Sequence, residues 1–366
     1  MKTIVIDART IDGSTGHYTQ SLLYYINKDY SNLYRFIVLV PSQTHEHWKS
    51  LYDNLTVEIA DEKSYSVGEQ TSFVARLESY SPDLVHFTMP QQPFLWIKPS
   101  VTTVFDLTLV HYNNVDMNRY IYRFKKGVFV SLLRTVITRS KAIITSTQHT
   151  KDDITSYMGE RFRSKIYVAH AAGEIINTKP EAIQQLKNDD FLLFVGNAFP
   201  YKNIQCIIDA FAILKTSFPN LKLALAGKKD FFYKQLEEYA QKNNIDGIYF
   251  LGYISDSEKR WALQNCKAYV TASLSEGFNM PILEAMIEGS PLIVSDATCH
   301  REVAGEAGLF FDPYSPKDLA DTIDHLLIDQ DLRNELIKQG KAHAATFSWE
   351  DTARKIIDVY KSVIDK

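Results

Sequence analysis

The chain has 366 residues, with 40 Lys and Arg against 44 Asp and Glu, a net charge of −4. That balance excludes bulk nucleic-acid binding and leaves room only for a local basic patch. Hydrophobic residues make up 45% of the chain, ample for packed cores in about two to three domains.

The chain opens on a strand at 3–6, so no signal peptide is expected. Beyond it, Gly16 suits either a turn where backbone must come close to a diphosphate or sugar, or a simple tight turn. His17 beside it is a candidate for the acceptor or an ordinary surface residue. Further strands are expected at 35–40, 56–59, 84–87, 102–105, 142–145 and 165–169. Between them, 119–141 carries Arg119, Arg123, Lys125, Lys126, Arg134, Arg139 and Lys141 among Tyr, Phe, Val and Leu, with no acidic residue. It reads as a basic amphipathic helix, suited to an anionic membrane or a lipid diphosphate, or else packed on the first sheet with a solvated charged face. The polar stretch 171–190, with Gly173 and Pro180, predicts a linker between two lobes.

The second half is clearer. Apolar runs at 191–195, 221–226, 248–251, 268–271, 291–295 and 308–311 alternate with helical patterns at 205–215, 233–243, 257–265 and 281–288. Such runs imply a parallel sheet covered on both faces. Ligands bind those sheets at the carboxyl ends of the strands, and Gly196, Gly227, Gly252 and Glu276 all fall just past strand ends. A last helix, begun by Ser348, runs to about 363. Three cysteines, Cys206, Cys266 and Cys299, have neither metal-ligand nor disulfide spacing, which suits a reducing cytosol. No apolar run approaches the ~20 residues needed to span a bilayer.

The stretch Ser275-Glu276-Gly277-Phe278-Asn279-Met280-Pro281-Ile282-Leu283-Glu284-Ala285 carries the most chemistry. Pro281 suits a first helical turn, and Gly289 suits the exit. The amides over Gly277 to Met280 then make an anion site, flanked by Glu276 and Glu284. Two carboxylates beside an anion site fit a sugar nucleotide, whose diphosphate meets amides while its hydroxyls meet carboxylates. The plainer reading is a surface Glu and an ordinary helical Glu.

This segment resembles the Glu-x7-Glu signature of retaining glycosyltransferase family four, which has the GT-B fold. The resemblance extends to Gly196-Asn197-Ala198-Phe199-Pro200-Tyr201-Lys202, to Gly252-Tyr253-Ile254-Ser255-Asp256, to Arg301-Glu302-Val303-Ala304-Gly305 and to Phe310-Phe311-Asp312-Pro313. At the start, Asp7-Ala8-Arg9 and Ser14-Thr15-Gly16 resemble the family's first strand and glycine loop. The implied fold is α/β, with two Rossmann-like lobes whose parallel sheets face across a cleft. The implied domains are 1–172 for the acceptor side, 173–346 for the nucleotide sugar, and a helix 347–366 crossing back to the first.

The resemblance assigns roles. Glu276 and Lys202 are the catalytic candidates, Glu276 facing the donor sugar and Lys202 the leaving diphosphate. Gly16, Gly196, Asn197, Tyr253, Gly277, Phe278, Asn279, Met280 and Glu284 are the donor-binding candidates, with Glu284 on the ribose hydroxyls. His17, Phe105 and Asp106 are assigned to the acceptor or sugar pocket. Front-face transfer, with the leaving phosphate taking the acceptor proton, needs no enzyme nucleophile. No Asp-x-Asp motif or metal cluster stands near the donor segment, so no metal and no cofactor beyond the nucleotide sugar is expected.

Two positions depart from the family pattern. Asn197 stands where an Arg is common, so phosphate charge falls to helix amides or to another cation such as Arg9, although a strand-end Arg is more often a structural partner. Phe105 stands where a His usually bonds the donor sugar. Either the donor is a 6-deoxy sugar packed on Phe105, or turnover is lost and binding kept. Nothing in the pattern gives His86 or His111 the missing role. The expected function is retaining transfer from a nucleotide sugar to a saccharide or lipid-linked acceptor in polysaccharide or glycolipid assembly. The expected place is cytoplasmic, with or without peripheral contact on the inner membrane face. The alternative is a non-catalytic sugar-nucleotide-binding subunit of a glycosyltransferase complex.

Overall fold

The computed structural model describes all residues except 14, 113–118, 174–177 and 366, and the side chains of 119–121. Ser14 of the glycine loop, part of the expected linker and the start of the basic segment therefore lie outside the described residues. The chain divides into two compact units, Met1–Ala171 with Ser348–Lys366, and Ala172–Phe347. Of the stretch expected as linker, Ile183 and Leu186 are buried, and the Glu181 amide donates to the Ser257 carbonyl, so this part packs into the second unit.

The first unit holds strands β1 (Thr3–Asp7), β2 (Arg35–Val40), β3 (Thr56–Ile59), β4 (Leu84–Phe87), β5 (Ser100–Thr103), β6 (Ala142–Thr145) and β7 (Ile166–Val168). They form one parallel sheet in the order β3-β2-β1-β4-β5-β6-β7. Every residue of β1, β4, β5 and β6 is buried, as a sheet covered on both faces requires. β5 ends two residues earlier than the sequence suggests. Asp106 accepts from the Thr108 amide and turns the chain, leaving Phe105 in the loop rather than in the strand.

The last helix, Trp349–Ile364, belongs to this unit. Ser348 caps it by accepting from the Asp351 amide. Thr352, Ala353, Ile356, Ile357, Val359 and Tyr360 are buried at helical spacing. Its Tyr360 hydroxyl lies 2.6 Å from His86 Nδ1 under the sheet. His86 is fully buried and also meets Thr103 Oγ1 at 2.9 Å. Burial holds its imidazole neutral, lowering its pKa from 6.5 to about 3.

The basic helix, Arg119–Arg139, has two different halves. Leu132, Leu133, Val136 and Ile137 are buried, and Lys165 donates to the Thr138 and Ser140 carbonyls at its end. Arg123, Phe124 and Lys125 are exposed, Phe124 by 74%. Among the described residues no helix is long and apolar enough to cross a membrane.

The second unit holds β8 (Phe191–Val195), β9 (Lys222–Ala226), β10 (Ile248–Gly252), β11 (Ala268–Thr271), β12 (Leu292–Ser295) and β13 (Gly308–Phe311). All pairs are parallel, in the order β10-β9-β8-β11-β12-β13. The helices Ile204–Leu214 and Pro316–Ile328 supply Ile207, Ile208, Phe211, Leu319 and Ile323 to the core, against Leu192, Phe194, Leu223 and Val270 of the strands. Strand order reverses between β8 and β11, so the loops leaving these two strands diverge and open a crevice at the carboxyl edge.

Candidate donor site

Both key loops leave that crevice. After β8 the chain passes Gly196 and Asn197, makes a single 3-10 turn over Pro200–Lys202, and enters the helix Ile204–Leu214. The Asn203 backbone is left-handed, with φ 55°, a conformation that asparagine tolerates. Its side chain is anchored by donating to the Pro313 carbonyl at 2.7 Å. After β11 the chain runs through Glu276 to Asn279, again left-handed with φ 66°, and starts the helix Met280–Glu288 with Pro281 in its first turn. Gly289 ends that helix at φ 85°. The Leu274 amide donates to the Tyr201 carbonyl at 2.7 Å and ties the two loops together.

Lys202 Nζ donates to Glu276 Oε1 at 2.5 Å, with the two side chains 13% and 11% exposed. The two residues expected to be catalytic are thus in contact, though 74 positions apart in the chain. Glu284 lies one turn into the helix, is buried, and has Lys259 Nζ 3.3 Å from its Oε2. Burial raises the Tyr269 phenol far above its ordinary pKa, and the negative charges of Glu284 and Glu276 push in the same direction. Both carboxylates therefore bear on one phenol at the root of the crevice, on β11.

A buried polar network supports the loop. Asn279 Nδ2 meets His300 Nε2 at 2.9 Å, and His300 Nδ1 is 3.0 Å from the Ser295 carbonyl. A carbonyl only accepts, so Nδ1 carries the proton and Nε2 accepts from Asn279. Ser295 Oγ donates to the Ser273 carbonyl at 2.7 Å, which links the ends of β11 and β12. Phe278 is buried edge-on against Phe347 at 5.9 Å. At Gly227 a side chain is impossible, because a Cβ would stand 1.9 Å from the Gly196 carbonyl oxygen. That carbonyl accepts from the Tyr233 hydroxyl at 2.8 Å.

Gly196, Asn197, Lys202, Glu276, Gly277, Phe278, Asn279, Met280 and Glu284 thus gather in the loops and helix starts around β8 and β11. Asn197 is exposed, with its side chain accepting from the Phe199 amide. Tyr253 follows the edge strand β10 and is 86% exposed, so its ring is not a packing residue.

The remaining candidates lie in the first unit. Gly16 opens the helix Gly16–Tyr25, and a Cβ there would stand 1.8 Å from the Ile11 carbonyl oxygen. Contact with its own chain is therefore enough to require this glycine. His17 is exposed. Phe105 is half-buried, edge-on to Tyr18 at 4.9 Å, with Asp106 beside it.

Arg9 takes the structural role that is the commoner one for a strand-end arginine, and is not a spare phosphate cation. Its guanidinium donates to both Asp7 oxygens at 2.9 and 2.8 Å, to Glu69 at 3.0 Å and to the Glu62 carbonyl at 2.5 Å. It also lies 3.7 Å over the Phe73 ring. Burial opposes its charge, but Asp7 and Glu69 outweigh that and hold it cationic. His86 and His111 are likewise engaged, His111 with Asp153 at 2.9 Å. Sequence reasoning missed Lys259 and His300, since no local pattern marks either; only helix and loop packing brings them to the site.

Residues 176–343 match the sequence profile of glycosyl transferases group 1. Those residues lie in the second unit and carry that family's pattern. The chain is a glycosyltransferase. It is similar to O-antigen chain mannosyltransferase B of Escherichia coli, 27% identical over 304 residues, which are 78% of this chain and 76% of that protein. It is also similar to the serotype-specific mannosyltransferase WbdA of Escherichia coli, 28% identical over 240 residues, 62% of this chain and 29% of that longer protein. Among solved structures, sucrose-phosphate synthase from Thermosynechococcus elongatus superposes with a TM-score of 0.80 at 17% identity over 100% of both chains. HepE of Anabaena, solved with UDP and glucose, gives 0.75 at 19% identity, over 99% of this chain and 100% of that one. The glycosyltransferase thus has the α/β GT-B fold expected from its sequence.

Proposed function

We propose that this glycosyltransferase moves a sugar, with retention, from a nucleotide-diphosphate sugar to a saccharide or lipid-linked acceptor in polysaccharide or glycolipid assembly. The names of its relatives make a mannosyl donor one class to test, against the 6-deoxy donor that Phe105 suits. The observation that carries the reading is the contact of Lys202 with Glu276 at the strand-order reversal, with Glu284 one turn into the adjoining helix.

In this reading the amides over Gly277 to Met280 and the Lys202 ammonium receive the diphosphate, and Glu284 accepts from the ribose hydroxyls. Glu276 lies by the sugar and favours positive charge at the anomeric carbon. The bond from that carbon to the diphosphate oxygen breaks, and a bond to the acceptor oxygen forms on the same face. The acceptor's proton goes to the departing phosphate oxygen. Phe105 is assigned to the sugar-binding contribution of the first unit, so Phe105→His should shift the donor profile toward sugars that keep the 6-hydroxyl. An unchanged profile counts against that assignment. The reaction needs no metal, and activity that disappears in EDTA counts against this.

We also assign Arg123, Phe124 and Lys125 to an anionic membrane surface, since a bared aromatic between cations suits that boundary. Co-sedimentation with phosphatidylglycerol vesicles that is equal for the wild type and Phe124→Ser would refute it.

The deciding experiment is a thermal-shift panel with UDP, GDP, ADP and TDP. A diphosphate at ~100 times its Kd adds about 2.7 kcal/mol, a shift of several degrees at roughly 2–4 °C per kcal/mol. One base should shift the wild type and leave Glu284→Ala unmoved. No shift with any nucleotide overturns the reading.

A further inference from the structure

The ion pair behind Glu284 carries one inference further. Lys259 lies in the first turn of the helix Asp256–Asn265, which begins just past the carboxyl end of β10. Glu284 lies in the helix Met280–Glu288, which begins past the end of β11. Both residues therefore stand close to the ligand edge of the same sheet. The start of the Lys259 helix is fixed by a capping box. Ser255 Oγ accepts from the Glu258 amide at 3.2 Å, and Glu258 Oε2 accepts from the Ser255 amide at 2.8 Å.

Two carboxylates lie within reach of the Lys259 ammonium, and they are not equal. Asp256 is 3.9 Å away with its side chain 64% exposed, so water screens it. Glu284 is 3.3 Å away, with the lysine and glutamate side chains only 15% and 8% exposed. At that burial an ionised carboxylate needs charged or hydrogen-bonding partners, and the lysine supplies an opposite charge in direct reach. A protonated Glu284 would lose acceptor capacity for hydroxyls.

The next pair along the same helix interface is a built-in control. Arg260 Nε is 3.2 Å from Glu288, and Arg260 Nη1 donates to the Thr178 carbonyl at 2.7 Å. Glu288 is a full turn further from the ligand edge and closes the helix rather than opening it.

We propose that Lys259 is a positioning residue of the donor site: its ammonium keeps Glu284 ionised and aimed, so that the carboxylate accepts from the ribose hydroxyls of the bound nucleotide. This rests on the assignment of Glu284 to the ribose above and adds a residue to it. Lys259 acts through Glu284 and does not touch the phosphates.

The test titrates the full chain with whichever diphosphate the panel selects, and with its 2′,3′-dideoxy counterpart. Lys259→Met should weaken the ribonucleotide about tenfold, the size of one charge-assisted contact. Lys259→Arg should restore most of that loss. The dideoxy ligand should bind the wild type and Lys259→Met equally, because neither has ribose hydroxyls to place. In turnover, KM for the donor should rise by the same factor while kcat stays within about twofold. The double variant with Glu284→Ala should bind no more weakly than Glu284→Ala alone, since the two act as one unit. Glu288→Gln should lower Tm and leave nucleotide affinity unchanged.

Equal weakening of the ribo and dideoxy ligands would make Lys259 a phosphate contact and overturn the proposal. So would unchanged affinity in a folded Lys259→Met. If that variant does not fold, Lys259→Gln replaces it with the same expectations. A wild type that binds no nucleotide at all overturns the underlying donor-site reading instead, and the two failures are thereby distinguished.

Discussion

Each unit of this glycosyltransferase has a parallel sheet whose strand order reverses once, and the two reversals use charge in opposite ways. In the first unit the reversal lies between β1 and β4. There Arg9 spends its guanidinium on Asp7, Glu69 and the Glu62 carbonyl, with Phe73 against its face. Its side chain is 7% exposed, and the cluster is closed within the protein. In the second unit the reversal lies between β8 and β11. There Lys202 and Glu276 meet end to end through a single contact, on loops rather than strands. A lysine is a point charge on a flexible stem, so it can leave a carboxylate for a phosphate without dismantling the fold. A forked guanidinium held by two carboxylates cannot. The same topology thus gives a structural cluster in one unit and a candidate reaction centre in the other.

Breaking the closed cluster has the largest expected effect. Arg9→Met leaves Asp7 and Glu69 buried without their cation, and should cost about 3–5 kcal/mol of stability. Urea unfolding measures this. The nucleotide-induced thermal shift should survive under conditions where the variant is folded. A stable Arg9→Met protein that no longer binds nucleotide would dissolve the contrast and make Arg9 a ligand cation after all.

Lys202→Ala should do the reverse. Losing one preorganised charge at the leaving group should lower kcat by about 10²–10³-fold, or ~2.7–4 kcal/mol of barrier. Its stability should fall less than that of Arg9→Met, because Glu276 is on a loop and can turn to water. Near-normal turnover would remove Lys202 from the chemistry.

A smaller effect sharpens the comparison through the buried histidine of the first unit. An unfolded His86 takes up a proton near pH 6.5, whereas the folded one does so only near pH 3. Between those values the unfolded state binds one proton more, so stability falls as pH falls across the window. The slope from this group is about 1.4 kcal/mol per pH unit. His86→Gln keeps a hydrogen-bonding side chain but does not titrate. Its urea stability should therefore lose less than the wild type between ~pH 6 and ~pH 4. Parallel acid limbs would show that His86 is not what titrates.

Much of this was legible from the chain alone, and unevenly so. Residues 191–195, 268–271 and 308–311 were bounded correctly as strands, because short apolar runs with turn residues on both sides can be little else in an α/β pattern. The strand at 100–103 was misplaced by two residues. Val104 and Phe105 continue its apolar run, and only the Asp106 turn, visible in three dimensions, shows where pairing stops. At Gly16 the sequence leaves open a ligand's approach or a simple tight turn, and the Ile11 carbonyl demands the glycine in either case.

The sequence by itself determined the sheet class, the left-handed exit at Gly289, the Pro281 helix start and the pairing of Glu276 with Glu284 across one short segment. All of these depend on periods and turn chemistry within a few neighbouring residues. The tertiary structure alone decided which cation serves which carboxylate. Arg9 went to Glu69 across 60 positions, Lys202 to Glu276 across 74, and Lys259 to Glu284 through the packing of two separate helices. The physical reason is that a charge has no period. Its partner is set by strand order, by which loops that order brings together, and by how much water is left between them.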